Sequence, residues 1–175
     1  MGGVKGDLKV YSRYILDKKG KTFIKRILAS WLPQLNMLSF EKVEVLKTSV
    51  GLNIFLVDNL ALLWQKDGNY YPTLLLPLLY PVKISKVYVD EGAIPHLLNG
   101  ADIMRPGIKR VEGSFDKNDI VIVIELKFSK PIVVGVAQFS LTELMSMKKG
   151  KVIRNIHHLN DKLWKLIIKY SHFRQ

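Results

Sequence analysis

Residues 89–110 combine small side chains and cationic side chains in a spacing that suits the binding of an anionic chain. Gly92, Ala93 and Gly107 let a ligand approach the backbone closely and leave amide N–H groups exposed to it. Cations that can neutralise phosphates at the border of such a groove follow in the same stretch: Arg105, Lys109 and Arg110. The stretch therefore predicts a groove that binds through backbone donors and positive charge.

Three further residues belong to the predicted site. His96 lies inside the stretch, Pro106 adjoins the last glycine, and His157 is expected on a later strand that lines the far side of the groove. Two alternatives to a binding role stay open from the residues alone. Turn geometry accounts for part of the glycine pattern, and a solvated loop is the alternative for the arginines.

No constellation in the sequence supports catalysis or metal binding. His157 and His158 are adjacent, so in a strand they point to opposite faces and cannot chelate a metal as a pair. Asp90 and Glu91 are adjacent too, and Asp90 is better explained as a helix cap than as half of a general acid–base pair. The absence of cysteine removes disulfides, thiolate ligands and cysteine nucleophiles. We predict a non-catalytic protein without metal or cofactor.

The elements that must position the groove can be predicted from the same stretch. Residues 86–89 are rich in strand formers and lead to Asp90, a good N-cap for a helix. Apolar residues at 94, 97 and 98 then share one helical face. Asn99-Gly100 suits a left-handed C-cap. Residues 101–104 form a second predicted strand, so the groove is expected between a short helix and that strand.

The region before residue 80 predicts a helix followed by an antiparallel meander. Apolar residues recur at helical spacing and stop before Pro33: Phe23, Ile24, Ile27, Leu28 and Trp31. The aromatic edge of this helix is expected to pack inward, while Lys21, Lys25 and Arg26 face solvent or phosphate. Residues 42–66 alternate like strands of a meander. Tyr80-Pro81 predicts a domain boundary.

Positive charge is the strongest feature of the composition. The formal net charge is +12, and residues 1–30 hold eight lysines and arginines against two acids. Residues 127–175 hold ten against two, whereas residues 81–114 are nearly balanced at five against four. A basic surface attracts polyanions and accelerates association with them. Solubility alone is the plain alternative, and no long basic amphipathic helix supports a membrane surface.

The groove stretch also carries a family resemblance. Gly92-Ala93-Ile94, followed by Asn99-Gly100-Ala101-Asp102-Ile103-Met104-Arg105-Pro106-Gly107, resembles the opening of a PUA domain, an RNA-binding module. Two more stretches resemble the malignant T-cell amplified sequence family of translation factors: Gly68-Asn69-Tyr70-Tyr71-Pro72-Thr73-Leu74 and Asn155-Ile156-His157-His158-Leu159-Asn160-Asp161-Lys162-Leu163-Trp164. The resemblance implies an α+β fold, in which a small mixed N-terminal domain precedes a PUA-type β pseudobarrel with short helices. We expect these domains at residues 1–81 and 82–175.

The resemblance also implies a function in translation. Members of this family act at the small ribosomal subunit, and their PUA domain is similar to modules that grip the acceptor end of transfer RNA. They work beside a protein with an initiation-factor-one-like domain. We therefore expect a cytoplasmic, RNA-binding protein without a membrane segment, acting in initiation or recycling. Two alternatives stay open, namely an accessory factor for ribosomal or guide RNA processing or ribosome assembly, and a protein-interaction adaptor.

Overall fold

The computed structural model describes residues 7–172 of the chain, which form two compact units. One unit comprises residues 7–83 and 162–172, and the other comprises residues 84–161. Residues 1–6 and 173–175, which the two predicted domain ranges include, lie outside the described residues. The mixed α+β class of the prediction is confirmed, since each unit contains one sheet and short helices.

The first unit is a five-stranded antiparallel sheet in sequential order with three helices. Its elements are β1 (Val10–Ile15), α1 (Lys18–Trp31), a 3-10 turn (Leu35–Met37), β2 (Val43–Thr48), β3 (Asn53–Val57), β4 (Leu60–Lys66), β5 (Asn69–Pro72), α2 (Leu75–Leu79) and the C-terminal helix Lys162–Tyr170. The tight turns between β3, β4 and β5 place non-glycine residues at positive φ: Asp58, Asn59 and Asp67. Short polar side chains tolerate this conformation, which suits the turns of hairpins.

The C-terminal helix, Lys162–Tyr170, belongs to this first unit, which differs from the predicted division at residues 1–81 and 82–175. Its apolar face is buried. The chain just beyond the helix is hydrogen-bonded to β4 and to the turn before β4. The Ala61 amide donates to Ser171 Oγ over 3.0 Å, and the His172 amide donates to the Asn59 carbonyl over 2.9 Å. The chain therefore returns after residue 161 to complete the core of its first unit.

The second unit is a six-stranded mixed sheet that curls into a half-barrel. Its elements are β6 (Lys86–Val89), a 3-10 turn (Glu91–Ala93), α3 (Ile94–Leu98), β7 (Ile103–Met104), a second 3-10 turn (Arg105–Gly107), β8 (Ile108–Glu112), β9 (Ile120–Glu125), β10 (Lys130–Ala137), α4 (Leu141–Ser146) and β11 (Lys151–His158). We number the C-terminal helix α5. The strands pair in the order β7, β11, β10, β9, β6, β8, with β6 parallel to β9 and all other pairs antiparallel.

The two end strands of this sheet, β7 and β8, are consecutive in the chain. Only the 3-10 turn Arg105–Gly107 separates them, so the sheet must curl until its two edges approach each other. The core inside the curl is built by buried aliphatic residues of every strand, together with Leu97 of α3 and Leu144 of α4. The seam between the two edges, with α3 beside it, is where the predicted groove stretch lies.

Local signals in the sequence predicted two details of this unit correctly, namely the cap at Asp90 and the left-handed glycine at residue 100. Asp90 Oδ1 accepts from the Ala93 amide as an N-cap, and Gly100 has φ +89° just after α3. Ser140 and Glu143 form a capping box at the start of α4. Gly135 lies at a register shift of β10, and a Cβ at this position would overlap the side chain of Ile153. Neighbouring strands therefore pack directly against this glycine, which leaves no room for a side chain.

Candidate nucleic-acid interface

An open groove of about 650 Å³ lies at the seam of the half-barrel. It is lined by the segment between β6 and α3, by α3 and the loop after it, by β7 and the turn that follows, by β8 and by the first residue of β11: Asp90, Ala93, His96, Leu97, Ala101, Asp102, Ile103, Met104, Pro106, Gly107, Lys109 and Lys151. Volumes of this order hold ligands of the size of one or a few nucleotides. We call it the seam groove.

Small residues keep the seam groove open. Ala93 and Gly107 face each other, and a Cβ built on Gly107 would lie 3.5 Å from the Ala93 Cβ. A larger side chain at either position would therefore fill the space between α3 and the turn after β7. The floor is apolar, because Leu97 and Ile103 are buried there and Met104 presents its side chain to the opening.

One wall of the groove carries a lysine that is held by an acid. Lys109 Nζ lies 3.0 Å from Asp90 Oδ2 and donates to the Pro106 carbonyl over 3.1 Å. The hydrogen bond from Lys109 holds the pKa of Asp90 below its ordinary value, with a smaller contribution from the Ala93 amide. Asp90 thus caps the helical turn with one oxygen and positions Lys109 with the other.

The other wall carries a second lysine–aspartate pair. Lys151 Nζ lies 3.7 Å from Asp102 Oδ2, while Asp102 Oδ1 accepts from the Asn155 amide over 3.0 Å. Lys151 reaches the groove because β11 pairs with β7, where it lies opposite Met104. The seam groove therefore has a cation and a carboxylate on each side, which together supply donors for phosphate and acceptors for hydroxyl groups.

Buried Asn155 holds the shape of the groove. Its Nδ2 donates to the Leu97 carbonyl over 2.9 Å and to the Ala101 carbonyl over 3.0 Å. These two carbonyls belong to the end of α3 and to the loop that follows it. A single side-chain amide of β11 therefore binds both carbonyls and fixes α3 against the sheet.

The structure brings five of the nine predicted site residues together: Ala93, His96, Pro106, Gly107 and Lys109 line the seam groove. Gly92 is exposed just outside it, on the 3-10 turn before α3. Arg105 lies in the turn after β7 but is directed away, since its Nε donates to the Leu144 carbonyl over 2.9 Å. Arg105 therefore bonds the turn to the end of α4, and its availability to a phosphate is lower than we expected.

Arg110 also lies outside the groove. It follows Lys109 in β8, and successive strand residues point to opposite faces. Its guanidinium carbon lies 3.7 Å from the centre of the Tyr88 ring, and the Tyr88 hydroxyl donates to Glu112 over 2.8 Å. Burial and this carboxylate raise the pKa of Tyr88. Tyr88 is therefore occupied by its neighbours in the sheet rather than exposed for stacking.

His157 requires a correction. Its side chain is fully buried, and Nδ1 lies 2.8 Å from Asp161 Oδ2. Asp161 also accepts from the His158 amide over 2.9 Å, so the pair closes the turn at the end of β11. A residue with no exposed surface cannot line the groove, and we assign His157 to the packing of the second unit.

Groove residues that are distant in sequence from residues 89–110 were not predicted. Lys151 and Asn155 had no local signal for the groove, because only the pairing of β11 with β7 brings them there. Asp102 and Met104 were visible in the motif Asn99 to Gly107, but they were not assigned a role. Asp102 is the charged residue of the predicted strand beside the groove helix, and this position is the signal in the sequence that identifies it.

Within residues 7–172, no three or more histidine or acidic side chains come together as a set of metal ligands. Over the same range, none of the helices is both long and apolar enough to cross a membrane.

Comparison with known proteins defines first the class and then the family. The PUA domain family model matches residues 85–159, which spans nearly all of the second unit. A crystal structure of a PUA domain from Aeropyrum pernix K1, solved as a tartrate complex, superposes with a TM-score of 0.79 at 29% identity and covers 92% of each chain. The second unit is a PUA domain, an RNA-binding fold.

Two curated relatives identify the family. The chain is 33% identical to Malignant T-cell-amplified sequence 1-B of Xenopus laevis, over 79% of this chain and 78% of that protein. It is 32% identical to Translation machinery-associated protein 20 of Schizosaccharomyces pombe, over 83% of this chain and 81% of that protein. The chain belongs to the malignant T-cell-amplified sequence family and is an RNA-binding protein of translation.

Proposed function

We propose that the seam groove binds the single-stranded acceptor end of transfer RNA without catalysis, on the small ribosomal subunit, during initiation or recycling. The observation that carries the proposal is the open groove of about 650 Å³ with an apolar floor and one lysine on each wall. Such a groove offers a terminal nucleotide an apolar surface for its base and cations on both sides for its phosphates.

The two carboxylates favour a ribonucleotide over other anions. Asp90 and Asp102 keep acceptor oxygens at the groove walls, beside the lysines that they pair with. A ribose offers hydroxyl groups to such acceptors, and the 2′-hydroxyl is the group that distinguishes RNA from DNA. A simple phosphate would meet the carboxylates as repelling charges. The groove thus suits a ligand that alternates phosphate with hydroxyl groups.

The ribosomal setting rests on charge and on the relatives. A net charge of +12 favours association with ribosomal RNA, and the curated relatives are named for the translation machinery. By the same family resemblance, we propose a partner protein that carries an initiation-factor-one-like domain.

Filter binding with two forms of deacylated transfer RNA tests the proposal. One form is intact and the other lacks its single-stranded 3′ nucleotides. We expect the intact form to bind more tightly by about tenfold or more, because only it can fill the groove. Affinity for both forms should fall by orders of magnitude between about 50 and about 200 mM salt, since several phosphates are contacted.

A matched pair of variants assigns the difference to the groove. Lys109→Ala should remove most of the preference for the intact form, whereas Lys117→Ala deletes an exposed lysine outside the groove and should leave it unchanged. Equal binding of the intact and truncated forms by the wild-type protein would refute the acceptor-end assignment.

A further inference from the structure

The first unit carries a second cationic surface, on the exposed side of α1. Five residues line a shallow depression of about 410 Å³ there: Lys18, Lys19, Thr22, Phe23 and Arg26. Lys18, Thr22 and Arg26 follow one another at four-residue steps, so they form a row about 12 Å long on one helical face. We call this surface the α1 cationic face.

The cations of this face have no acidic partner within the described part of the chain. Ion pairs occupy lysines and arginines elsewhere, for example Arg13 and Lys42 with Glu44 in the same unit. None of the salt bridges between residues 7 and 172 involves Lys18, Lys19 or Arg26. The helix itself contributes five lysines and arginines and no acid between residues 18 and 31. Its positive charge is therefore concentrated and uncompensated.

Helix stability does not explain these lysines. Lys18 and Lys19 occupy the first turn of α1, where the positive end of the helix dipole disfavours cations. Asp17 accepts from the Gly20 amide over 2.8 Å, which already caps the helix. Residues that oppose local stability in this way are typical of surfaces that act on a ligand.

An aromatic side chain borders the cations. Phe23 is 45% exposed, although the sequence predicted that it would pack inward. Its ring contacts Tyr70 of β5 edge to face, with the ring centres 5.4 Å apart. This contact fixes the ring while leaving nearly half of it available to the ribose of a ligand.

We propose that the α1 cationic face is a second RNA-binding site, which contacts the phosphate backbone of a double-helical RNA. The face is shallow, lysine-rich and only bordered by an aromatic ring, whereas the cores of protein interfaces are depleted in lysine. Double-stranded RNA is recognised mainly through its phosphates and shape rather than through its bases, which suits a row of flexible cations. This site does not depend on the acceptor-end function proposed for the seam groove.

The test uses the full chain and a blunt-ended RNA duplex of about 20 base pairs, which offers phosphates but no single-stranded end. We compare Lys19→Ala/Arg26→Ala with Lys117→Ala/Lys130→Ala, which removes two exposed lysines from the other unit. The first pair should weaken duplex binding by about tenfold and lower the slope of log affinity against log salt by about 1 to 2. The control pair should change both values much less.

Two further measurements separate the possible outcomes. The α1 variant should bind a short single-stranded oligoribonucleotide as tightly as the wild type, because that ligand tests the seam groove. The second site would be overturned if the α1 variant kept the duplex affinity and salt slope of the wild type. It would also be overturned if the control variant lowered both values equally. Either result would leave the acceptor-end proposal standing. The α1 variant could instead lose a nuclease-resistant complex with a protein while its duplex binding stays unchanged. That result would identify an acidic protein as the occupant of the α1 cationic face and would also overturn the second RNA-binding site.

Discussion

The two cationic regions of this protein use positive charge in opposite ways. In the seam groove, Lys109 and Lys151 each have an aspartate partner, and a buried asparagine fixes the helix beside them. On the α1 cationic face, Lys18, Lys19 and Arg26 have no acidic partner among residues 7–172 and extend from one regular helix. The first region is ordered by its own hydrogen bonds, and the second is ordered only by the helix.

The difference predicts two kinds of recognition. Paired cations in a concave site hold donors and acceptors at fixed positions, which favours one ligand geometry over others. Unpaired, flexible lysines along a regular helix attract the closely spaced phosphates of a duplex and respond strongly to salt. We therefore expect selectivity for an RNA end to come from the PUA domain, and additional affinity for folded RNA to come from the first unit.

The largest effect is expected when the groove loses its internal support. Asn155→Ala removes a buried side chain whose amide donates to the Leu97 and Ala101 carbonyls, so the free energy of unfolding should fall by about 1–3 kcal/mol. Urea denaturation measures this loss. Asn36→Ala, at an exposed position of a 3-10 turn, is the control and should stay within about 0.5 kcal/mol of the wild type. Equal stability of the two variants would show that the asparagine does not support the groove.

A smaller effect is expected when the cation of one groove wall is released. Asp90→Asn keeps a good N-cap but removes the carboxylate that pairs with Lys109. Affinity for a single-stranded oligoribonucleotide should fall about two- to fivefold at low salt, because the amide oxygen is a weaker acceptor for a ribose hydroxyl and no longer positions Lys109. Asp116→Asn removes one acid outside the groove and should have little effect. Unchanged or tighter binding by Asp90→Asn would mean that this carboxylate does not accept from a ribose hydroxyl.

The smallest effect concerns the stability of α1. Lys19→Glu places an acid in the first turn of the helix, which should raise the free energy of unfolding by about 0.3–1 kcal/mol while weakening duplex binding. The mirror control is Lys169→Glu in the last turn of α5, where an acid should lower stability by a similar amount. Thermal unfolding of both variants measures whether each substitution raises or lowers the stability of the protein. If Lys19→Glu lowered the free energy of unfolding, Lys19 would not oppose the helix dipole.

Part of the groove could be predicted because its signals are local. Asp90 as a cap, Gly100 after α3 and the small residues Ala93 and Gly107 all act on partners a few residues away or on the backbone itself. The family resemblance supplied the domain type, since its motifs fall in this same stretch. The helical spacing of α1 was equally readable, although the exposure of Phe23 was not, because its ring packs on Tyr70 from β5.

The amino-acid sequence alone therefore determines which short helices and turns form and which of them carry small or cationic residues. Tertiary structure alone decided that Lys151 and Asn155 reach the groove, that Arg105 bonds the Leu144 carbonyl, and that His157 is buried. Helix caps and turns depend on partners within about four residues, which a sequence displays directly. The pairing of β11 with β7 joins segments about 50 residues apart, and the burial of the complete sheet fixes that register.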